Sequence, residues 1–233
     1  MTIGVICALQ EELDEIIKLM FDIKTVKINN FEFITGTVNN IKCVLNLCGV
    51  GKVHAAISCQ NLITNFNPDS ILNIGVAGAL DKKLNIGDII LVTSAIQYDF
   101  DVSVFPNRKK GEISGLGKVN FECTDWILNN LINISQKINT LNFNTGVVLT
   151  GDRFVSNKQE KIKLNQEFGG IVCDMEAGSI AQTCYVNSVD FGIIKSVSDS
   201  LSNNSLIEFN KFVNISSRNS ALIFNKFVKE VKF

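Results

Sequence analysis

Short apolar runs alternate along the chain with segments whose apolar residues recur every three or four positions. The runs at 2–7, 31–38, 42–48, 70–74, 88–98, 146–150, 171–174 and 191–197 predict strands. Helical periodicity predicts helices over 9–20, 52–65, 122–137, 156–167, 176–186 and 205–229. Leu9, Leu13, Ile16, Ile17 and Met20 make the first helix amphipathic. Ser205 with Glu208 three residues on reads as a capping box opening the last helix, with Leu206, Phe209, Val213, Phe224 and Phe227 as its buried stripe. Apolar strands alternating with helices predict a mostly parallel sheet covered on both faces. Asn39-Asn40 between two strand runs predicts an antiparallel hairpin, which makes the sheet mixed. No repeat and no linker interrupts the pattern, so residues 1–233 are expected to form a single α/β domain. The polar stretch 106–118 is the longest expected loop, a lid or an interface.

A carboxylate sits near the end of three of these runs. Ile3–Ala8 leads into Gln10-Glu11-Glu12, Ile171–Cys173 into Asp174-Met175-Glu176, and Phe191–Ile194 through Lys195–Ser198 into Asp199. Ligands of open α/β sheets bind beyond the carboxyl ends of the strands. Acids delivered there from distant positions point to an assembled acid/base site. Taken singly, each has a structural alternative, as a helix N-terminal acid or a cap.

Composition narrows the class. With 46% apolar and 19% charged residues, the chain suits a globular protein with a sizeable core. A net charge of −1 gives nucleic acid or an anionic membrane no electrostatic footing. The seven cysteines are odd in number, lack a CxxC spacing and sit mostly inside apolar runs, as reduced cytoplasmic thiols do. No apolar stretch approaches the roughly 20 residues of a spanning helix. The N-terminal run has no basic region before it and does not read as a signal peptide.

Several motifs fail as chemistry. Gly49-Val50-Gly51-Lys52 is no phosphate loop, because that pattern needs Gly at 46 and Ser or Thr at 53, where Asn46 and Val53 stand. It reads as a tight turn that lets a ligand approach the backbone. Gly75-Val76-Ala77-Gly78 lacks dinucleotide spacing, which leaves NAD and FAD unsupported; as a small-residue loop after a strand it offers a floor for a flat ligand. His54 is the only histidine, falls in a helical stretch and has no nucleophile elbow beside it. One histidine and scattered cysteines do not make a metal site.

The same residues carry a family resemblance that runs nearly end to end. Ile3-Gly4-Val5-Ile6 with Glu11-Glu12, Gly49–Val53, Asn73–Gly78, Gly87-Asp88-Ile89, Asp99–Val102, Thr150–Val155, Asp174–Ala177 and Ser198-Asp199 fit in order and spacing. The chain resembles the methylthioadenosine/S-adenosylhomocysteine nucleosidases of the purine nucleoside phosphorylase superfamily. The resemblance implies hydrolysis of the bond between adenine and a 5′-thio-substituted ribose, chemistry that serves methionine salvage. It implies that Asp199, oriented by Ser198, protonates N7 of the leaving base. To do so at neutral pH the acid must hold a proton, which calls for burial or neighbouring acids. It implies that Glu12 deprotonates the attacking water, and that Glu176 accepts hydrogen bonds from the ribose hydroxyls and favours the ribosyl cation.

For binding, the resemblance implies that Met175 packs on the sugar, Phe154 stacks on adenine and the Val155 backbone reads the base edge. Ala77 and Gly78 floor the pocket, and Leu9 and Val50 line it around the 5′ substituent. Phe105 reaches that pocket from a partner subunit in the family's homodimers. No cofactor is called for, because a protonated leaving base and an activated water complete the reaction. The chain departs from the family pattern at Val76, Ala79, Glu112 and Lys195, none of them a proposed acid or base. The rivals are a phosphorylase using phosphate in place of water, a nucleosidase preferring aminofutalosine, and a non-catalytic nucleoside-binding protein. Glu11-Glu12 would repel phosphate, and a binding protein would be free to lose the three acids.

Overall fold

The computed structural model describes residues 1–202 and 204–231. Its strands are β1 (Thr2–Cys7), β2 (Phe21–Ile28), β3 (Phe31–Val38), β4 (Ile41–Leu47), β5 (Ser70–Ala79), β6 (Ile89–Gln97), β7 (Phe121–Glu122), β8 (Phe143–Thr150), β9 (Val172–Asp174) and β10 (Asp190–Asp199). Its helices are α1 (Gln10–Ile17), α2 (Lys52–Phe66), α3 (Asp125–Ser135), α4 (Lys158–Phe168), α5 (Ala177–Asn187) and α6 (Ser205–Glu230). All form one mixed sheet in the order β10-β6-β8-β9-β5-β1-β4-β3-β2, with β7 beside β6. Because β10 also pairs with β5, the strands β10, β6, β8, β9 and β5 close into a ring, and β1, β4, β3 and β2 extend from it as a wing.

Alternate residues along the strands feed two cores. On β1, Ile6 joins Cys59 and Leu62 of α2 and Ile180 and Cys184 of α5, whereas Ile3 and Val5 join Leu13 and Ile16 of α1, Leu131 of α3, and Phe224 and Phe227 of α6. Helices therefore cover both faces of the sheet, as the run pattern predicts. The expected hairpin forms between β3 and β4, with Val38 opposite Ile41 and positive φ at Asn39 (48°) and Asn40 (67°). Those two angles are what a two-residue primed turn requires, and asparagine tolerates them better than most residues.

Several expectations are corrected. The strand predicted at 70–74 runs on to Ala79, so Gly75–Gly78 is fully paired sheet and not a loop. β2 went unpredicted because it is an exposed edge strand with no buried face to give it a pattern. The first helix spans Gln10–Ile17, shorter than 9–20, although Leu13, Ile16 and Met20 are buried as expected. α3 begins at Asp125 because Phe121-Glu122 pairs with β6. The capping box at Ser205 does not form: Asn204 precedes the helix, and Glu208 turns back to accept from the Ser200 N–H at 2.8 Å. Leu206 is exposed, while Val213, Phe224 and Phe227 are buried. The stretch 106–118 is a loop of turns and isolated bridges, with Glu112 buried against Arg108 at 2.5 Å. Among the described residues no helix is long and apolar enough to cross a membrane.

Candidate active site

The N-terminus of α1 fixes the first acid. Glu12 lies in the first turn, and its carboxylate accepts N–H bonds from Ala8 (2.9 Å) and Leu9 (3.0 Å), satisfying donors at a helix start. Its other oxygen accepts the Val76 N–H at 2.9 Å, which ties α1 to β5. A Cβ at Gly75 would collide with this carboxylate, so only glycine lets β5 pass so close. Burial pushes the Glu12 carboxyl above its usual range, against the opposing pull of Lys195 and the three N–H donors.

The second acid comes from the β9–α5 junction. Glu176 caps α5, and its carboxylate accepts the Gly51 N–H at 2.8 Å, so the Gly49–Gly51 turn is held against it. Burial, aided by the charge of Asp174, pushes Glu176 up to about 7; Lys195 and the Gly51 N–H pull the other way. Asp174 is fully engaged: it accepts from Thr150 Oγ1 at 2.6 Å, from the Ala177 N–H at 3.0 Å and from Lys195 Nζ at 2.8 Å. Lys195 is thus the buried cation facing this cluster. Burial disfavours its charge, yet Asp174, Glu12 and Glu176 together raise its pKa.

The third acid ends β10. Opposite β5 the register slips by one residue between Val197 and Asp199, a bulge at Ser198 that aims Asp199 into the cleft. Asp199 is 2% exposed, and Ser198 Oγ donates to its Oδ1 at 3.0 Å. A Cβ on Gly78 would come within 2.9 Å of Asp199 Oδ2. The group in contact with Asp199 is the ammonium of Lys161, 2.5 Å from Oδ2.

These elements enclose a cleft of about 130 Å³. Glu12, Glu176, Asp199 and Ser198 line it together with Leu9, Val50, Ala77, Gly78, Phe154 and Met175. Val155 lines a smaller adjoining cavity that shares Gly78, Phe154 and Asp199. Phe105 does not reach the cleft within one chain; it is 63% exposed on the loop after β6. His54 is exposed on α2 and lines neither cavity.

Sequence reasoning missed Phe209, which it placed in a buried helix stripe. In the structure Phe209 lines the cleft and meets Phe154 edge to face at 5.7 Å. Lys161 was missed as well, since a lysine in a polar helix carries no local signal of burial. Among the described residues no cluster of His, Cys, Asp and Glu could hold a metal ion. The cleft thus brings small residues and aromatic rings together with three carboxylic acids.

Closed sheet, helical layers and acids at the strand ends define the class. The chain belongs to the phosphorylase superfamily, whose family model matches residues 2–229, and within it to the 5′-methylthioadenosine/S-adenosylhomocysteine nucleosidases. It is 37% identical over 236 residues to such a nucleosidase from Buchnera aphidicola subsp. Schizaphis graminum, covering 99% of this chain and 97% of the relative. The crystal structure of the nucleosidase from Neisseria meningitidis in complex with methylthio-immucillin-A superposes with a TM-score of 0.95 at 29% identity, over 99% of both chains. A futalosine hydrolase of Helicobacter pylori is similar too, with a TM-score of 0.93 at 27% identity over 99% of this chain and 98% of that one.

Proposed function

We propose that this protein hydrolyses the N-glycosidic bond of 5′-methylthioadenosine and S-adenosylhomocysteine, releasing adenine and a 5′-thioribose. The observation that carries the reading is the convergence of Glu12, Glu176 and Asp199 on one cleft. Asp199 stands at the bulged end of β10 and serves N7 of the leaving base. As the bond breaks, negative charge collects on the purine, and an acid at N7 neutralises it; general acid catalysis of this kind contributes roughly 10²–10⁴-fold. Glu12 takes a proton from the attacking water. Glu176, once ionised, accepts from the ribose hydroxyls and lowers the energy of the cationic sugar.

Phe154 and Phe209 form the wall on which adenine stacks, and Ala77 and Gly78 its floor. The Val155 backbone reads the base edge, and Met175 packs on the sugar. Leu9 and Val50 surround the 5′-thio substituent, with Phe105 of a second copy completing that end in a homodimer. Exposed Val53 and Ile57 on α2 and Tyr185 and Val186 on α5 support such an apolar interface, as do Val104 and Phe105. The described cysteines are all free and buried, which suits the cytoplasm, and the reaction has a place in methionine salvage.

Hydrolysis is favoured over phosphorolysis because the side of the cleft assigned to the attacking group presents Glu12, while the nearby cation Lys195 is bonded to Asp174. Mass spectrometry of the sugar product formed in phosphate buffer tests this. A free thioribose is expected; a sugar 1-phosphate would refute hydrolysis. The similarity to a futalosine hydrolase makes aminofutalosine the competitor substrate, and its cleavage ahead of both thio-nucleosides would reassign the preference.

A further inference from the structure

Lys161 lies on α4, outside every motif that marks the site, and is 0% exposed. Its Nζ donates to Asp199 Oδ2 at 2.5 Å, to the Ser200 carbonyl at 2.9 Å and to Ser205 Oγ at 2.8 Å. Three acceptors meet three ammonium protons, so the cation is fully coordinated with no water required. Burying a lysine carries a large desolvation penalty, and an apolar side chain would hold α4 against β10 and α6 more cheaply. The placement makes better sense as chemistry, because the carboxylate that Lys161 touches is the acid assigned to the leaving base.

We propose that Lys161 is a positioning residue that shares a proton with Asp199, so that the pair supplies the proton taken by the departing adenine. The inference rests on the reading of Asp199 as the acid serving N7. In the resting enzyme the pair carries one mobile proton, held on Nζ and hydrogen-bonded to Oδ2. As the C1′–N9 bond breaks, its electron pair passes into the purine. Lys161 passes its proton to Asp199, and the carboxyl so formed delivers a proton to N7, which leaves an Asp199 carboxylate beside a neutral Lys161 amine. The attacking water gives its oxygen to C1′ and its proton to Glu12. After adenine leaves, the pair is reprotonated through the cleft, which Asp199 lines.

The other titratable groups facing the pair do not mimic this behaviour. Cys173 on β9 is pushed up to about 12 by burial and stays a neutral thiol. Glu208 on α6 is raised by burial, but hydrogen bonds from the Ser200 N–H and the Ser200 and Ser202 hydroxyls outweigh that and hold it below its usual range, ionised. Asp174, next to Cys173 on β9, is bonded to Lys195.

The test is the pH dependence of kcat and kcat/KM for adenine release from methylthioadenosine, in Lys161→Arg and Lys161→Met, with adenine binding measured alongside. Arginine keeps the cation but does not give up its proton. Lys161→Arg should therefore lose roughly 10²-fold or more in kcat while adenine affinity stays near wild type. In Lys161→Met, Asp199 must hold the proton alone, and because a carboxyl releases its proton at lower pH than an ammonium, the alkaline limit of activity should move to lower pH. An alkaline limit that stays put or moves upward in Lys161→Met would overturn the proposal, as would a wild-type kcat in Lys161→Arg. Asp199→Asn separates the two levels of the account. If that variant is inactive while the Lys161 variants keep wild-type pH limits, only the proton-sharing fails; if it turns over normally, the assignment of Asp199 fails with it.

Discussion

Lys195 donates to Asp174 at 2.8 Å from the middle of a strand, and both side chains are almost completely buried. The lysine also faces Glu12 and Glu176, whose pKa values it pulls down. One ammonium therefore keeps a buried cluster of carboxylates from accumulating uncompensated charge.

Lys195→Met should expose that dependence. Removing one partner of a buried ion pair costs about 3–5 kcal/mol, so the variant should melt well below wild type. Its surviving activity should need higher pH, because Glu176 loses the charge that favours its ionised form. Thermal unfolding and the pH dependence of kcat/KM check the two effects separately; an unchanged melting temperature would place the charges in water.

Glu176 sets a pH dependence of its own. Its pKa in the folded protein is about 7, raised from 4.5 chiefly by burial and next by Asp174. The folded state thus binds this proton more tightly than the unfolded chain. The stability it contributes is complete below about pH 4.5 and is lost as pH rises through about 7. Activity should run the opposite way, since in the proposed mechanism an ionised Glu176 favours the sugar cation. Free-enzyme kcat/KM should rise through pH 7, and Glu176→Gln should remove that rise along with most of the turnover.

Gly75 is expected to be intolerant of a single methyl. Gly75→Ala places a Cβ against the Glu12 carboxylate, so Glu12 must move or β5 must bend. Turnover should drop towards that of Glu12→Gln while adenine binding persists. Wild-type turnover in either variant would show that the water is activated elsewhere.

The role proposed for Phe154 is in binding. It is 41% exposed at the mouth of the cleft and packs against Phe209. Phe154→Ala should weaken substrate binding by roughly 1–3 kcal/mol, the range for base stacking on aromatic side chains. Isothermal titration with adenine reads this directly, and an unaltered affinity would remove Phe154 from the base site.

The three acids were legible because each follows an apolar run, and strand ends are where an α/β sheet gathers its ligands. Their partners were not. Lys161 sits among the polar residues of α4, and nothing local distinguishes it from its solvated neighbours Lys158 and Lys163. Lys195 stood out only as a departure from a family pattern, and its bond to Asp174 joins strands distant in sequence. Gly75–Gly78 looked like a loop because small residues lack strand propensity; β10 pairs along this stretch and β9 pairs at Gly78, and both override that preference. β2 hid for the opposite reason, since its apolar residues Phe21, Ile23 and Val26 face solvent. The slip at Ser198, which turns Asp199 into the cleft, exists only in the register between two strands.

The most direct test is adenine release from methylthioadenosine, S-adenosylhomocysteine and inosine, each with and without phosphate. The account predicts rapid release from the two thio-nucleosides at rates that phosphate does not change. Cleavage that requires phosphate, or no cleavage of either thio-nucleoside, would contradict it.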